Sequence, residues 1–221
     1  MHLQTLVVAY LACMPAIEAF QFNLPKFPTL VGRDGGSGSC PPYWTNIGKD
    51  LRLAFLTPDN QQCNDLARAS VRYAFHDAGT FSLKLPFVAP AAGGADGSIL
   101  LGPEISRAEN GGLETYHAFI GDKLKAYRSL YGNGVGAADL IQFASNVATL
   151  VCPGGPKVKT FVGRNDSAVG QQSPTGVMPP GFGPGSDHDS LMNLFLDKGF
   201  QPKDLAALVG RCYYIQNSWI C

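Results

Sequence analysis

From Cys40 to Val209 the apolar residues recur at steps of three and four, and no run of four to eight residues alternates as a half-buried strand would. That periodicity restricts the chain to packed helices. Cys63, Leu66, Ala67, Val71, Ala74 and Phe75 predict the face of a first helix, with Asp59-Asn60 as its cap. Leu113, Tyr116, Ile120, Leu124 and Tyr127 predict a second. Ile141, Ala144, Val147, Ala148 and Val151 predict a third, started near Asp139 and stopped by Cys152-Pro153-Gly154-Gly155. Two shorter helices follow, one capped by Asp187 or Asp189 and carrying Leu191, Leu194 and Phe195, the other introduced by Pro202 and running from Asp204 to Val209. The expected fold class is all-α, with long functional loops at 78–112 and 153–187.

Composition narrows the function classes. With 45% apolar and 15% charged residues the 221-residue chain has enough apolar material for one sizeable core, and its 26 Gly and 16 Pro follow no collagen period. Seventeen basic residues balance seventeen acidic ones, so no global charge draws the chain to nucleic acid or an anionic membrane. Neither is expected as a partner, and a monomer is.

The N-terminus reads as a secretory signal. Leu6 to Met14 forms a short apolar run, Pro15 breaks it, and Ala16-Ile17-Glu18-Ala19 offers small residues for cleavage after Ala19. Residues 1–19 are therefore expected to be a signal peptide and the protein extracellular. Residues 20–39, ending in GRDGGSGS, read as a propeptide or flexible lead. Cys13 would leave with the signal. Cys40, Cys63, Cys152, Cys212 and Cys221 would then sit in an oxidising compartment, and their odd number leaves at least one unpaired.

Chemistry concentrates at the end of the first helix. Arg72 and His76 are one helical turn apart and share a face, so a permanent cation and an acid–base imidazole can converge on one molecule. Taken alone, such a pair is more often a surface pair or a satisfied core histidine. Asp77 is rotated by about 100° from His76 and faces elsewhere. Gly93-Gly94-Ala95-Asp96-Gly97-Ser98 adds a carboxylate, a hydroxyl and exposed carbonyls, the oxygen-only set that calcium requires, although the same residues make an ordinary Gly/Asp turn. Asn110 is by default a turn residue, and its amide oxygen also suits fixing a histidine tautomer. Asn165-Asp166-Ser167 is a glycosylation sequon. Asp187-His188-Asp189 reads as capping and solvated charge, because consecutive residues at a helix start cannot all face one ion.

The order and spacing of these features resemble the secreted fungal haem peroxidases, class II of the plant-type peroxidase superfamily. The motifs that carry the resemblance are RYAFHDAGTFS (Arg72 to Ser82), GGADGSI (Gly93 to Ile99), ENGGL (Glu109 to Leu113), ADLIQFASNVA (Ala138 to Ala148), CPGGPKV (Cys152 to Val158), FVGRNDS (Phe161 to Ser167) and LFLDKGFQPKDLAALVG (Leu194 to Gly210). The resemblance implies a haem-peroxidase fold over residues 40–210, comprising the distal lobe and the start of the proximal lobe. It also implies haem b and calcium as cofactors, and hydrogen peroxide and small phenolic or aromatic donors as substrates, the donors oxidised in one-electron steps.

Placed residue by residue, His76 looks like the distal histidine that moves a proton between the two peroxide oxygens. Arg72 looks like the arginine that stabilises the departing oxygen, Asn110 like the acceptor behind the histidine, and Phe75 like the aromatic over the haem. Asp77, Gly94 through its carbonyl, Asp96 and Ser98 match the distal calcium site, and Cys63 and Cys152 match a disulfide of the class. Mn(II)-binding residues of related enzymes would fall at Asp65 and Ala69. Since Ala69 cannot ligate, no efficient Mn(II) site is expected. Trp44 and Trp219 match no surface radical position and read as core and tail residues.

The resemblance stops at Gly210. Where the family continues as Ala-His-Ser/Thr, with that histidine as proximal iron ligand, this chain reads Arg211-Cys212 and ends at Cys221. No proximal histidine is present, Cys212 holds its position, and residues 211–221 read as an unrelated tail. The expectation is a retained intron or wrong gene model, since Gly210-Arg211 is codable as GGTAGG with its GT donor-like start. Cys40 is then expected to have lost its partner with the absent lobe. The alternative to a peroxidase is a catalytically inactive secreted calcium-binding fragment. A metal-dependent hydrolase using His76, Asp77 and Asp96 is weaker, because no His/Glu pair stands at ligand spacing.

Overall fold

The computed structural model describes residues 40–59, 62–84, 93–179 and 187–213, with the backbone alone for 209–213. The expected signal and lead (1–39) and residues 214–221 of the tail, with Trp219 and Cys221, lie outside the described residues. The described residues are all-α as expected, with no strand among them beyond an isolated antiparallel bridge between Leu56 and Cys63. None of their helices is singly long and apolar enough to cross a membrane.

Among the described residues seven α-helices occur in order: α1 (Tyr43–Phe55), α2 (Asp65–Ala78), α3 (Ser98–Leu101), α4 (Glu114–Tyr131), α5 (Ala137–Val151), α6 (His188–Leu196) and α7 (Pro202–Tyr213). Helix α1 is not among the helices predicted from the sequence. Trp44, Ile47, Leu51 and Phe55 fall on one stripe and are buried, while Leu53 on the opposite side is 71% exposed. Trp44 is thus a core residue, packed 4.8 Å from the Phe143 ring.

Helix α2 begins later than predicted. Asn64, not Asp59-Asn60, is its cap, accepting from Ala67 N at 3.1 Å, while its amide nitrogen donates to the Ala54 carbonyl at 2.8 Å. A side chain able to bind both the new helix and the end of the old one wins over an equivalent residue further back. Cys63 therefore precedes the helix rather than lying on its face. The buried stripe is also rotated from the predicted one: Val71 is 41% exposed, and Ala67, Ser70, Tyr73, Ala74 and Asp77 turn inward. Tyr73 and Asp77 find partners inside, which apolar periodicity does not anticipate.

The core gathers the inner faces of α1, α2, α4 and α5, with α2 and α1 both packed on α5. Helix α5 starts two residues before Asp139, and the carboxylate of Asp166 serves its N-terminus from outside the helix. Asp166 accepts from Ala137 N and Ala138 N, each at 2.9 Å, and from Arg128 at 2.8 Å. Asp187 caps α6 through Ser190 N at 2.8 Å, His188 and Asp189 are solvated, and α7 continues past Gly210 to Tyr213. Cys63 and Cys152 form a disulfide that ties the approach to α2 to the end of α5, and Cys40 is free and exposed. The predicted loop 78–112 contains α3 and two 3₁₀ turns, Pro103–Ser106 and Ala108–Asn110.

Candidate active site

The last turns of α2 carry the chemistry, and the segments packed around them fix its orientation. His76 is 7% exposed. Its Nδ1 lies 2.7 Å from Oδ1 of Asn110, which the second 3₁₀ turn delivers. The Asn110 amide nitrogen donates to the Glu104 carbonyl at 2.7 Å, so its oxygen must face the ring. His76 Nδ1 is then the protonated nitrogen, and Nε2 carries the lone pair. Arg72 lies on that side, its Nε 3.3 Å from His76 Nε2 and its Nη2 donating to the Glu109 carbonyl at 3.2 Å. A basic nitrogen and a permanent cation are thereby held side by side. The Phe75 ring meets His76 edge-on at 5.9 Å.

The support behind Asn110 rests on a residue with no signal in the sequence. Glu104 is 1% exposed, its carboxylate accepts from Ser173 N, and Arg107 lies 3.8 Å away while also donating to the Ser173 carbonyl at 2.6 Å. In the sequence a lone glutamate after a proline reads as surface. Its burial depends on a loop 69 residues further on.

Asp77 turns away from His76, as its rotation on the helix predicts. It is fully buried, its Oδ2 accepts from Gly97 N at 3.2 Å, and its Oδ1 has no hydrogen-bond partner. Burial, with the charges of Asp96 and Glu104 adding to it, pushes its carboxyl well above the usual range. Asp96 Oδ1 accepts from Ser98 N at 3.0 Å, the Ser98 hydroxyl lies 2.8 Å from that of Ser173, and the Gly94 carbonyl accepts from Asp96 N at 2.8 Å. Gly97 at φ +75° brings the turn so near α5 that a Cβ would stand 2.8 Å from Ala138 N. Thr80, also missed, bridges Asp77 and this turn, donating to the Asp77 carbonyl at 2.7 Å and accepting from Gly94 N at 2.8 Å. A buried carboxylate oxygen with no donor, beside a second carboxylate, fits a hard cation with oxygen ligands. Among the described residues no three His, Cys, Asp or Glu side chains are placed to hold one metal ion, so backbone and hydroxyl oxygens would complete the set.

The end of α2 is also held from α6. Lys198, just after that helix, donates to the carbonyls of Gly79, Phe81 and Val177 at 2.6, 2.9 and 2.6 Å, and burial brings its ammonium down to about 8. On the Arg72 side a cleft of about 450 Å³ is lined by Leu66, Arg68, Ala69, Arg72, Leu113 and Tyr116, among others. Asp65 also lines it but pairs with Arg68. Asn165 is exposed, beside the half-buried anchor Asp166.

The distal set fits one face of a haem: a proton acceptor with a fixed tautomer, a guanidinium beside it and an adjacent aromatic. For the opposite face no histidine follows His188 in the sequence, and the position of the expected ligand is Cys212, in the last turn of α7.

The family model described as peroxidase matches residues 51–211. A peroxidase of Arthromyces ramosus is 34% identical over 200 residues, covering 84% of this chain and 50% of that protein. A peroxidase of Coprinopsis cinerea is 33% identical over 216 residues, 91% of this chain and 54% of that protein. Ligninase LG5 of Phanerodontia chrysosporium is 32% identical over 159 residues, 71% of this chain and 39% of the ligninase. The chain thus spans about half the length of the first two curated relatives. The crystal structure of the TL29 protein from Arabidopsis thaliana is similar with a TM-score of 0.51 at 23% identity, over 75% of this chain and 71% of that one, a likeness of fold alone.

Proposed function

The chain belongs to the peroxidase family, and on that premise we propose that it is a secreted, haem-dependent peroxidase that reduces hydrogen peroxide and oxidises small phenolic or aromatic donors one electron at a time. The observation that carries the reading is the oriented series Glu104 carbonyl, Asn110, His76, Arg72, which leaves one basic nitrogen beside one cation.

The chemistry a bound haem supplies is an iron centre that takes up the two oxidising equivalents of peroxide and releases them singly. His76 Nε2 takes the proton from the near peroxide oxygen and returns it to the far one, so that water leaves. Arg72 stabilises the charge that builds on the departing oxygen. Asn110 keeps the His76 ring in the tautomer with Nε2 free of its proton, and Phe75 provides the apolar wall. Asp77, Asp96, Ser98 and the Gly94 carbonyl hold calcium, which fixes the helix end that carries His76. The cleft beside Arg72 suits a small aromatic donor in size. Asp65 paired with Arg68, beside an alanine at 69, argues against an efficient Mn(II) site. Secretion is supported by the signal-like N-terminus and the disulfide, and Asn165 is offered as the glycan acceptor.

Cys212 at the expected histidine position favours a second reading, a calcium-binding member of the family without turnover. Haem titration with calcium present separates the two. A Soret band saturating near one haem per chain, with peroxide-dependent dye oxidation, supports the enzyme. No haem uptake supports the second reading and removes the first for this chain.

A further inference from the structure

Tyr73 follows Arg72 on α2 but points the other way, into the core, where it is fully buried. Its hydroxyl lies 2.8 Å from Nδ1 of His117 on α4. Burial holds the His117 imidazole below its ordinary value, so at neutral pH the ring is uncharged and Nδ1 accepts the phenolic hydrogen bond. Burial, with the nearby charge of Asp77 adding to it, drives the Tyr73 phenol well up. The pair therefore rests as a neutral phenol against a neutral base.

That arrangement has a redox consequence. Removing an electron from a phenol leaves positive charge on the ring, and in a buried site this charge is costly unless the proton leaves with the electron. A base must already touch the hydroxyl. Of the other tyrosine hydroxyls seen to donate a hydrogen bond, that of Tyr43 donates to the Gly134 carbonyl and that of Tyr116 to the Ser70 hydroxyl, neither of which takes up a proton. Tyr127 donates to Asp50, whose carboxyl burial would raise but the hydrogen bonds of Lys123 and Tyr127 hold below its usual value, making it a poor base. Tyr73 has an imidazole. Its ring is also 5.2 Å from that of Tyr116, which lines the cleft beside Arg72.

We propose that Tyr73 and His117 form a proton-coupled redox pair that relays oxidising equivalents from the Arg72–His76 site toward donors in the cleft lined by Tyr116. Tyr73 gives one electron to a one-electron oxidant and its hydroxyl proton to His117 Nδ1, leaving a neutral tyrosyl radical and an imidazolium. An aromatic donor in the cleft returns the electron by tunnelling across the Tyr116 ring, which is not itself oxidised, His117 returns the proton, and the donor's own proton goes to solvent. The supply of oxidant rests on the peroxidase reading, whereas the chemistry of the pair does not.

The test uses the chain itself with flash-generated ruthenium(III) tris-bipyridine as oxidant, so neither haem nor peroxide enters. Freeze-quenched samples of wild type, Tyr73→Phe and His117→Gln are read by high-field electron paramagnetic resonance. The wild type is expected to give a hydrogen-bonded tyrosyl signal that Tyr73→Phe abolishes and His117→Gln lowers at least about tenfold, since an amide accepts a hydrogen bond but not a proton. A signal unchanged in yield and g-anisotropy in either variant overturns the pair. Should a variant fail to fold, the wild type alone still decides. After exchange into D2O, deuteron coupling at the radical is expected, and its absence contradicts the proposal. Failure of peroxide turnover leaves this result untouched, and a negative radical result leaves peroxide turnover untouched.

Discussion

The side-chain oxygen of Asn110 stands 2.7 Å from Nδ1 of His76, and its amide nitrogen is committed to the Glu104 carbonyl. This one contact decides which nitrogen of the ring is basic. Replacing Asn110 by Ala leaves Nδ1–H without an acceptor and frees the ring to rotate or exchange tautomers. The reaction of the haem-loaded protein with peroxide is expected to slow about 10–100-fold, with little change in haem affinity, as measured by stopped-flow absorbance. An unchanged rate would mean that the contact orients nothing.

Asp77 Oδ1 is buried without a donor, and Asp96 adds like charge nearby. A divalent cation relieves both. Calcium at about 100-fold its dissociation constant is expected to stabilise the fold by about 2.7 kcal/mol. In the Asp77→Asn variant that gain disappears, because the neutral amide no longer demands a cation. Thermal melts with calcium and with chelator check this, and a variant as calcium-dependent as the wild type would refute it.

The disulfide from Cys63 to Cys152 closes a sequence separation of 89 residues. Removing it by the double change to Ala is expected to cost about 4 kcal/mol, chiefly through the freer unfolded chain. Urea unfolding midpoints report the loss. Because the bridge holds the approach to α2, the His76 helix end is expected to exchange its amides faster in the same variant.

His117 provides the pH dependence. Its folded pKa is lowered by burial, so the unfolded chain takes up a proton near the ordinary value of 6.5 while the folded chain does not. The stability this contributes is complete above pH 6.5 and declines as pH falls through the lower folded value. Protonated Nδ1 can no longer accept from Tyr73. The melting temperature of His117→Gln should therefore fall less than that of wild type between pH 7.5 and about pH 5; parallel curves would contradict the assignment.

How much was legible in the sequence differs by element. The buried face of α4, Tyr116, Ile120, Leu124 and Tyr127, falls where the spacing predicts, whereas in α5 Ile141, Ala144 and Ala148 do so but Val147 and Val151 are only half-buried and the first turn, with Asp139 and Leu140, is buried as well. Helix α1 is not predicted although Trp44, Ile47, Leu51 and Phe55 stand at helical spacing, and α2 starts late because the Asn64 side chain bonds two elements at once. The motifs around Arg72, His76, Asp77 and Asn110 were readable through their resemblance to a family, which proposes roles that distances alone do not assign. Glu104, Thr80 and the Tyr73–His117 pair left no local signal. Each acquires its role from a partner brought close only by tertiary packing, 69 residues away for Glu104 and 44 for Tyr73.

The most direct measurement loads the calcium-replete chain with haem and compares peroxide-driven oxidation of a phenolic dye by the wild type and His76→Ala. The account predicts dye oxidation in the wild type and a fall of at least about 100-fold in the variant, with haem uptake the same in both. Equal rates in the two proteins, or a wild type that takes up haem and oxidises no dye, would contradict it.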